Sequence, residues 1–289
     1  MSGFSPEWLA AREPVDERSR PARLAHLLRE RLAAHETIAA VDLGAGTGAN
    51  LRYLAPRLGG RQDWQLVDDD PRVLEAAGRF MRGWADGWGA ELTEMPGGFV
   101  VRGKSLQCRA RRLTMNLATD FAKLLLPESA LVTCSALLDL VSESWLRGVA
   151  ARCRDSGAIV MFALTYDGHM SFKPEDSEDA HVRSLVNRHQ LTDKGFGPAL
   201  GPSALDTAET IFAELGYRVR RERSDWRLGA GDRQLWAPLL EDWLKAAVAM
   251  EEDSRHALSL WQHRRRAALD ARSSELVVGH EDLLAYLPE

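Results

Sequence analysis

Cysteine is scarce in this chain. The three present, Cys108, Cys134 and Cys153, form no C-x-x-C pair, which excludes a disulfide framework and a structural zinc knuckle as organising devices. No uncharged apolar run approaches the ~20 residues of a membrane span. The longest, Ala158 to Leu164, is soon followed by Tyr166-Asp167 and reads as a buried strand. The start, Met-Ser-Gly-Phe-Ser-Pro-Glu-Trp, has no apolar stretch of the secretory kind. The expected location is the cytoplasm, with no membrane partner and no metal. An excess of charge of one sign is lacking too: 37 Lys plus Arg face 42 Asp plus Glu, a net −5. Proteins that wrap nucleic acid without sequence preference normally show a basic surface, so nucleic acid is not an expected partner. Internal repeats and low-complexity segments are also missing.

What remains is the composition of an ordinary globular chain. Its 289 residues are 45% apolar and 27% charged, enough to bury a sizeable core. Leu24, Leu27, Leu28 and Leu32 recur at helical spacing. Ile38 to Leu43 reads as a strand ending in glycines. Leu51, Leu54 and Leu58 mark a helix that stops near Gly59-Gly60, and Trp64 to Val67 reads as a second strand. Strand, helix, strand, helix at this spacing implies a parallel sheet with crossover helices. Phe99 to Met115 alternates around Gly103-Lys104, a hairpin leading into a third strand. Leu131 to Cys134 and Ala158 to Leu164 are expected as the fourth and fifth, with helices at Phe121–Leu126 and Ser142–Cys153. Asp167 to Ser203 is polar and reads as a long loop. Helix Ala204–Leu215, strand Tyr217–Leu228, a helical stretch Asp232–Arg272 and strand Leu276–Leu287 complete the chain.

The sharpest motif is Val41-Asp42-Leu43-Gly44-Ala45-Gly46-Thr47-Gly48-Ala49, between a strand and a helix. Glycine lets the backbone turn sharply and approach a ligand, because no Cβ intervenes. The carboxyl end of a first strand is where α/β sheets bind nucleotide-like cofactors. Gly44-x-Gly46-x-x-Ala49 satisfies the loose dinucleotide pattern. Asp42 argues otherwise: its carboxylate repels a pyrophosphate and attracts a cationic ammonium and sulfonium. That difference favours S-adenosylmethionine over NAD. The competing reading is a tight turn with no ligand. One strand over, Asp68 ends Trp64–Val67 and is placed to accept both ribose hydroxyls of an adenosine. Asp69 and Asp70 follow, with Asp70 and Pro71 as N-cap and first residue of the next helix.

With these residues the chain resembles the class I, Rossmann-like S-adenosylmethionine-dependent methyltransferases. Asp42-Leu43-Gly44-Ala45-Gly46-Thr47-Gly48 matches that family's first motif, and Asp68 matches the acidic end of its second strand; the match covers residues 36 to 165. The resemblance implies an α/β fold: a Rossmann-like, doubly wound, mostly parallel seven-stranded sheet with an antiparallel last strand and helical insertions. Tyr217–Leu228 and Leu276–Leu287 would be its antiparallel sixth and seventh strands. It implies one domain over 1–289, divided into an N-terminal helical segment (1–36), a cofactor-binding core (37–166), a lid-like insertion (167–203) and a C-terminal part (204–289) with a helical insertion (232–272). The implied cofactor contacts are Asp42, Gly44, Ala45, Gly46, Gly48, Asp68 and Asp69, then Asn116 and Leu117 in place of the third motif. Ser135 joins them within Thr133-Cys134-Ser135-Ala136-Leu137-Leu138-Asp139, which is similar to the family's fourth-strand motif. That strand lacks the Asn/Asp-Pro-Pro-aromatic and Pro-Cys signatures of enzymes that methylate nucleic-acid bases. The clusters Arg109–Arg112 and Arg264–Arg266 read as solvated surface rather than phosphate contacts.

Methyl transfer to a bound acceptor requires alignment with the sulfonium and exclusion of water. It requires a base only where the acceptor must lose a proton. The residues placed to meet an acceptor are Tyr166 and Asp167 after the fifth strand, His189 and Asp193 in the insertion, and Asp139 after the fourth strand. Glycines flank the insertion segment and would permit closure; a solvated loop is the alternative. Trp236 and Trp243 share a helical face and read as core, with an acceptor pocket lined by Trp226 or Trp236 as the minority reading. Phe4 and Trp8 are positioned to close over the cofactor. The expected function is methylation of a small polar molecule at oxygen, nitrogen or carboxylate, by a monomer or homodimer. The alternatives are an RNA methyltransferase, a non-catalytic S-adenosylmethionine-binding protein and an NAD-dependent dehydrogenase.

Overall fold

Local punctuation sets the first half of the chain. A computed structural model describes residues 5–271 and 274–288. Helices α1 (Pro6–Ser19) and α2 (Ala22–Leu32) precede β1 (Thr37–Leu43), α3 (Ala49–Leu58), β2 (Gly60–Asp68) and α4 (Pro71–Trp88). Helix α3 stops at Gly59, whose φ of +68° needs no Cβ. Helix α4 starts at Asp70, whose side chain accepts from Arg72 N at 2.8 Å, with Pro71 behind it. A ribbon follows: β3 (Glu91–Met95), β4 (Gly98–Arg102) and β5 (Leu106–Thr114). After the short α5 (Leu117–Asp120) come β6 (Leu131–Ser135), α6 (Glu143–Asp155), β7 (Ile159–Lys173), α7 (Asp179–Gln190) and α8 (Ala204–Glu214). The chain ends with β8 (Arg218–Arg223), β9 (Trp226–Leu228), α9 (Arg233–Met250), α10 (Arg255–Asp270) and β10 (Glu275–Tyr286).

The sheet order is β3-β4-β5-β2-β1-β6-β7-β10-β8, with β9 on β10. Strands β5, β2, β1, β6 and β7 are mutually parallel, and β10 is antiparallel to both β7 and β8. This is the doubly wound, Rossmann-like sheet expected, with two corrections. The described residues give ten strands rather than seven, because β3 and β4 extend the sheet beyond β5 and Tyr217–Leu228 breaks into β8 and β9. Strand β8 is antiparallel only to its neighbour β10, so it runs in the same sense as β7. Strand order reverses between β1 and β6, and ligands of open α/β sheets bind at such a switch point.

Side chains alternate across the strands and divide the core by face. Ala40, Trp64, Leu66, Met161 and Leu284 pack under α2, α3 and α4. Val41, Val67, Phe162, Leu283 and Ala285 pack under α6 and α8 on the other side. A third cluster lies beyond the carboxyl edge, where β7 continues past Ala163 against β10. Phe172 there meets the rings of Trp236, Trp243 and Trp261 with centroids 6.3, 5.9 and 5.9 Å away. The helical stretch expected over 232–272 is two helices, α9 and α10, with Arg272 outside the described residues, and its tryptophans are core. The segment 167–203 is not an open loop. It carries the end of β7 and the whole of α7, whose Val182, Leu185 and Val186 are buried in the same cluster. Among the described residues no helix is long and apolar enough to cross a membrane.

Phe172→Ala removes the ring on which the three tryptophans converge. A loss of about 3–5 kcal/mol is expected in urea denaturation; a loss under about 1 kcal/mol would mean α9 and α10 are anchored elsewhere.

Candidate functional site

The turn after β1 is built by three glycines in the left-handed region: Gly44 at φ +67°, Gly46 at +52° and Gly48 at +79°. Gly48 is the N-cap of α3 and has no side chain to cap it, so the first amides of that helix lack a side-chain acceptor. Ala45 N donates to Val67 O at 2.9 Å, which ties the loop to β2. Asp68 completes the tie. Its Oδ2 accepts from Gly46 N at 2.8 Å and its Oδ1 from Asp70 N at 3.0 Å. A carboxylate offers about four acceptor positions, so two remain for a ligand. Burial raises the Asp68 pKa, and the two amide bonds oppose the rise. Asp69 beside it is exposed.

Beneath the loop lies a buried polar network. Asp42 is 0% exposed. Its Oδ1 accepts from Asn50 Nδ2 at 2.8 Å, and Oδ2 has no partner. Burial pushes its pKa up to about 7, against the Asn50 bond and the Arg20 charge. Asn50 Nδ2 also meets Thr133 Oγ1 at 3.0 Å, while Asn50 Oδ1 accepts from Arg20 Nη1 at 2.8 Å. Arg20 Nε reaches Asp282 Oδ2 at 3.4 Å, and Asp282 Oδ1 accepts from Leu164 N at 2.8 Å. One guanidinium therefore serves two buried carboxylates.

The backbone is strained just after β6 and within β7. Ala136 and Leu164 both hold φ of +53° without being glycine, a combination that concentrates at functional sites. Ser135, Leu164, Ala49, Asn50 and Arg20 line a small cavity of about 40 Å³ there. Asp139 follows β6 and is 6% exposed. Burial raises its pKa to about 6, opposed by hydrogen bonds from its own and the Tyr166 backbone and by the charges of Arg12 and Lys194.

The remaining sequence candidates divide. Leu117 is buried, and Asn116 caps α5 by accepting from Ala118 N at 2.9 Å, which leaves its amide NH₂ available. Tyr166 lies beside Asp139, but its hydroxyl donates to Asn187 Oδ1 at 2.8 Å, and burial raises its pKa. Asp167 is engaged by Arg223 Nη1 at 2.6 Å and His169 N at 2.8 Å. Asp193 Oδ1 accepts from Gly195 N and Gly197 N at 2.6 and 3.0 Å, holding its own loop. His189 approaches Lys194 Nζ at 3.4 Å, and burial with that charge lowers its pKa. Of the insertion, Lys194 rather than Asp193 brings charge towards Asp139. Arg12, Arg20, Asn50, Lys194 and Asp282 were not singled out from the sequence. Only the adjacent acids Glu281-Asp282 inside an apolar strand offered a signal.

Helix α1 lies across the crevice. A Cβ on Gly46 would stand 3.1 Å from Leu9 Cδ1. Trp8 packs on the third cluster; Phe4 lies outside the described residues. The attachments of α1 are largely polar. Glu13 pairs with Arg52 at 2.6 Å, and Arg52 also donates to Thr47 O at 2.6 Å. Asp16 accepts from Trp226 Nε1 at 2.9 Å, and Arg18 meets Asp232 at 2.6 Å. Val15 is its only fully buried side chain among the described residues.

No family profile matches the chain, and no curated protein matches it in sequence. Among solved structures it is similar to the YcgJ protein of Bacillus subtilis, at 13% identity over 92% of this chain and 99% of that one, with a TM-score of 0.47. It is similar to the cyclopropane synthase MmaA2 of Mycobacterium tuberculosis, at 12% identity over 90% and 82%, with a TM-score of 0.45. It is also similar to an S-adenosylmethionine-dependent methyltransferase of Thiobacillus denitrificans solved with S-adenosylhomocysteine, at 16% identity over 94% and 93%, with a TM-score of 0.42. These likenesses are too distant to bear on what this chain binds or does.

Because the folded state raises the Asp42 pKa to about 7, native protein holds a proton that the unfolded chain releases near pH 4. Stability attributable to this group is therefore highest below pH 4 and declines as pH rises to about 7. Asp42→Asn should be more stable than the parent at pH 8, on the order of 2 kcal/mol, with no such gain at pH 4. Equal melting curves at pH 8 would show that Asp42 ionises without penalty.

Proposed function

We propose that the switch-point crevice holds S-adenosylmethionine and that the chain transfers its methyl group to a small polar acceptor. The observation that carries this reading is Asp42: a carboxylate wholly buried under the glycine turn, with one oxygen unpartnered. With Asp68 one strand over, it surrounds the turn with negative charge. A diphosphate at this turn would face both carboxylates, and burial would strengthen the repulsion. A cationic ligand without phosphate relieves it. In the buried network Arg20 faces Asp42 and Asp282, so a ligand of net positive charge restores balance.

The residues fit the group. Asp68, held by Gly46 N and Asp70 N, has acceptor positions left for two ribose hydroxyls. The Asn116 amide and the Leu117 side chain suit an adenine edge and face. Gly44, Ala45, Gly46 and Gly48 let backbone approach closely, with Ser135 on the facing strand. When bound, S-adenosylmethionine supplies a methyl carbon on cationic sulfur: the acceptor's lone pair forms the new bond as the sulfur–carbon pair leaves on sulfur. The protein's part is alignment and exclusion of water. Helix α1 covers the crevice, and Leu9 must leave Gly46 before an adenosine can enter. Asp139, raised to about 6 by burial, is largely ionised at neutral pH and suits removal of an acceptor proton.

A small acceptor is favoured over RNA because one basic cluster is engaged within the fold. Arg264 pairs with Asp176, Arg265 with Asp179 and Arg266 with Glu241. Of the proposed acceptor residues, Asp139 stands foremost. Tyr166, Asp167, His189 and Asp193 act through the walls and loops around it.

Calorimetric titration should show binding of S-adenosylhomocysteine and none of NAD, with Asp68→Ala weakening it about tenfold or more. Methyl-labelled cofactor offered with a panel of small hydroxyl, amine and carboxylate compounds should label at least one. Binding of NAD in preference would overturn the cofactor assignment. Cofactor binding with no labelled acceptor would favour a non-catalytic binding protein.

A further inference from the structure

Helix α7 has a second face that the fold leaves open. Val182, Leu185 and Val186 are buried in the third cluster. Arg183, Ser184, Asn187, Arg188 and Leu191, three to four positions apart along the same turns, therefore fall on the opposite side. Together with Pro202 of the turn Gly201–Ser203 they line a groove of about 470 Å³, a volume typical of small-molecule sites. Its walls are braced. Gly168 holds φ +87°, and a Cβ there would stand 2.9 Å from Pro202. Asn187 joins the groove to β7, with Nδ2 donating to Gly168 O at 3.0 Å and Oδ1 accepting from the Tyr166 hydroxyl at 2.8 Å. Leu191 packs on Gly201, where a Cβ would stand 3.1 Å from its Cδ2, yet it remains 51% exposed. None of these residues lines the cavity at the switch point.

The charge in the groove is of one sign. No carboxylate lines it. Arg183 donates to Met170 O through Nη1 at 3.3 Å and makes no other hydrogen bond among the described residues. Arg188 makes no side-chain hydrogen bond or ion pair among them. The acids within reach are committed elsewhere. Asp179, one turn before Arg183, is held by Trp261 and Arg265. Glu251 is held by His181 at 3.2 Å and by Ser254. Two guanidiniums on one helix face repel each other, and an oxyanion between them relieves that repulsion while accepting paired N–H donors. Leu191 and Pro202 beside them offer apolar surface to whatever carries the anion. We infer that the α7 groove binds a small organic acid: its carboxylate or phosphate lies against Arg183 and Arg188, with the Ser184 hydroxyl beside them, and a short apolar body covers Leu191 and Pro202. The site goes beyond the adenosyl-ligand reading and does not rest on it.

The test is an amide NMR titration of the whole chain with benzoate, phenyl phosphate, neutral benzamide and inorganic phosphate. Benzoate, phenyl phosphate or both should give saturable shifts centred on 183–191, and the tighter of the two identifies the acid. Benzamide should bind about tenfold more weakly or worse, since it lacks the charge. Inorganic phosphate should fall below phenyl phosphate by about fivefold, the contribution of the apolar body. Arg188 and Leu191 are exposed, so Arg188→Gln and Leu191→Asn leave the core intact, which their melting curves check. The first should weaken the acid about tenfold and the second about fivefold. Benzamide binding as tightly as benzoate, inorganic phosphate matching phenyl phosphate, shifts that never saturate, or an Arg188→Gln protein that binds like the parent would each overturn the proposal. Any of these leaves the adenosyl-ligand reading untouched.

Discussion

The structure depends on a line of buried polar groups that crosses the sheet at its switch point. It runs from Asp42 on β1 through Asn50 on α3 and Arg20 after α1 to Asp282 on β10. Four elements, from the N-terminal segment to the last strand, are joined by one amide and one guanidinium. An apolar set of the same volume would in general be at least as stable, so stability is a poor explanation for this line. Its consequence is a charge imbalance under a glycine turn. On that imbalance rests the proposed preference of the crevice for a cationic ligand.

The helix laid over the turn follows the same logic. Helix α1 is attached by Glu13–Arg52, Asp16–Trp226 and Arg18–Asp232 and buries only Val15 fully. Partly exposed ion pairs contribute little each, and low-stability segments are those that open for ligands. By contrast α7, α9 and α10 close over the β7–β10 extension through buried aromatic rings and do not share this looseness. Helix α1 is thereby the more loosely attached cover of the crevice, while the insertion expected as a lid carries α7, which is packed on the third cluster.

Much of the β1 to β6 region was legible because its signals are local. Glycines at left-handed positions, Asp70-Pro71 at a helix start and apolar runs of strand length each act within a few residues. Strand β3 was missed because Glu91-Leu92-Thr93-Glu94-Met95 has no fully buried face. Helix α7 was missed because Val182, Leu185 and Val186 stand among His, Arg and Asn, and only the aromatic cluster beneath them shows what they cover. In the site, Asp42, the glycines and Asp68 form contiguous motifs and could be read directly. Arg20 and Asp282 are 262 positions apart, and neither carries a motif. The acceptor side was hardest to read: titratable residues near a strand end look alike in sequence, and only hydrogen bonds separate Asp139 from Asp167 and Asp193, which brace loops.

The central claim is that a carboxylate buried beneath the turn is held ready for a cation. The direct measurement is a ¹³C NMR titration of the Asp42 carboxyl in the protein alone, with S-adenosylmethionine and with 5′-methylthioadenosine. The account predicts titration near pH 7 alone, as burial dictates, a fall of about one unit or more with S-adenosylmethionine, and little change with the uncharged nucleoside. An Asp42 that titrates as an ordinary carboxylate in the free protein, or that does not respond to the cationic ligand, would contradict it.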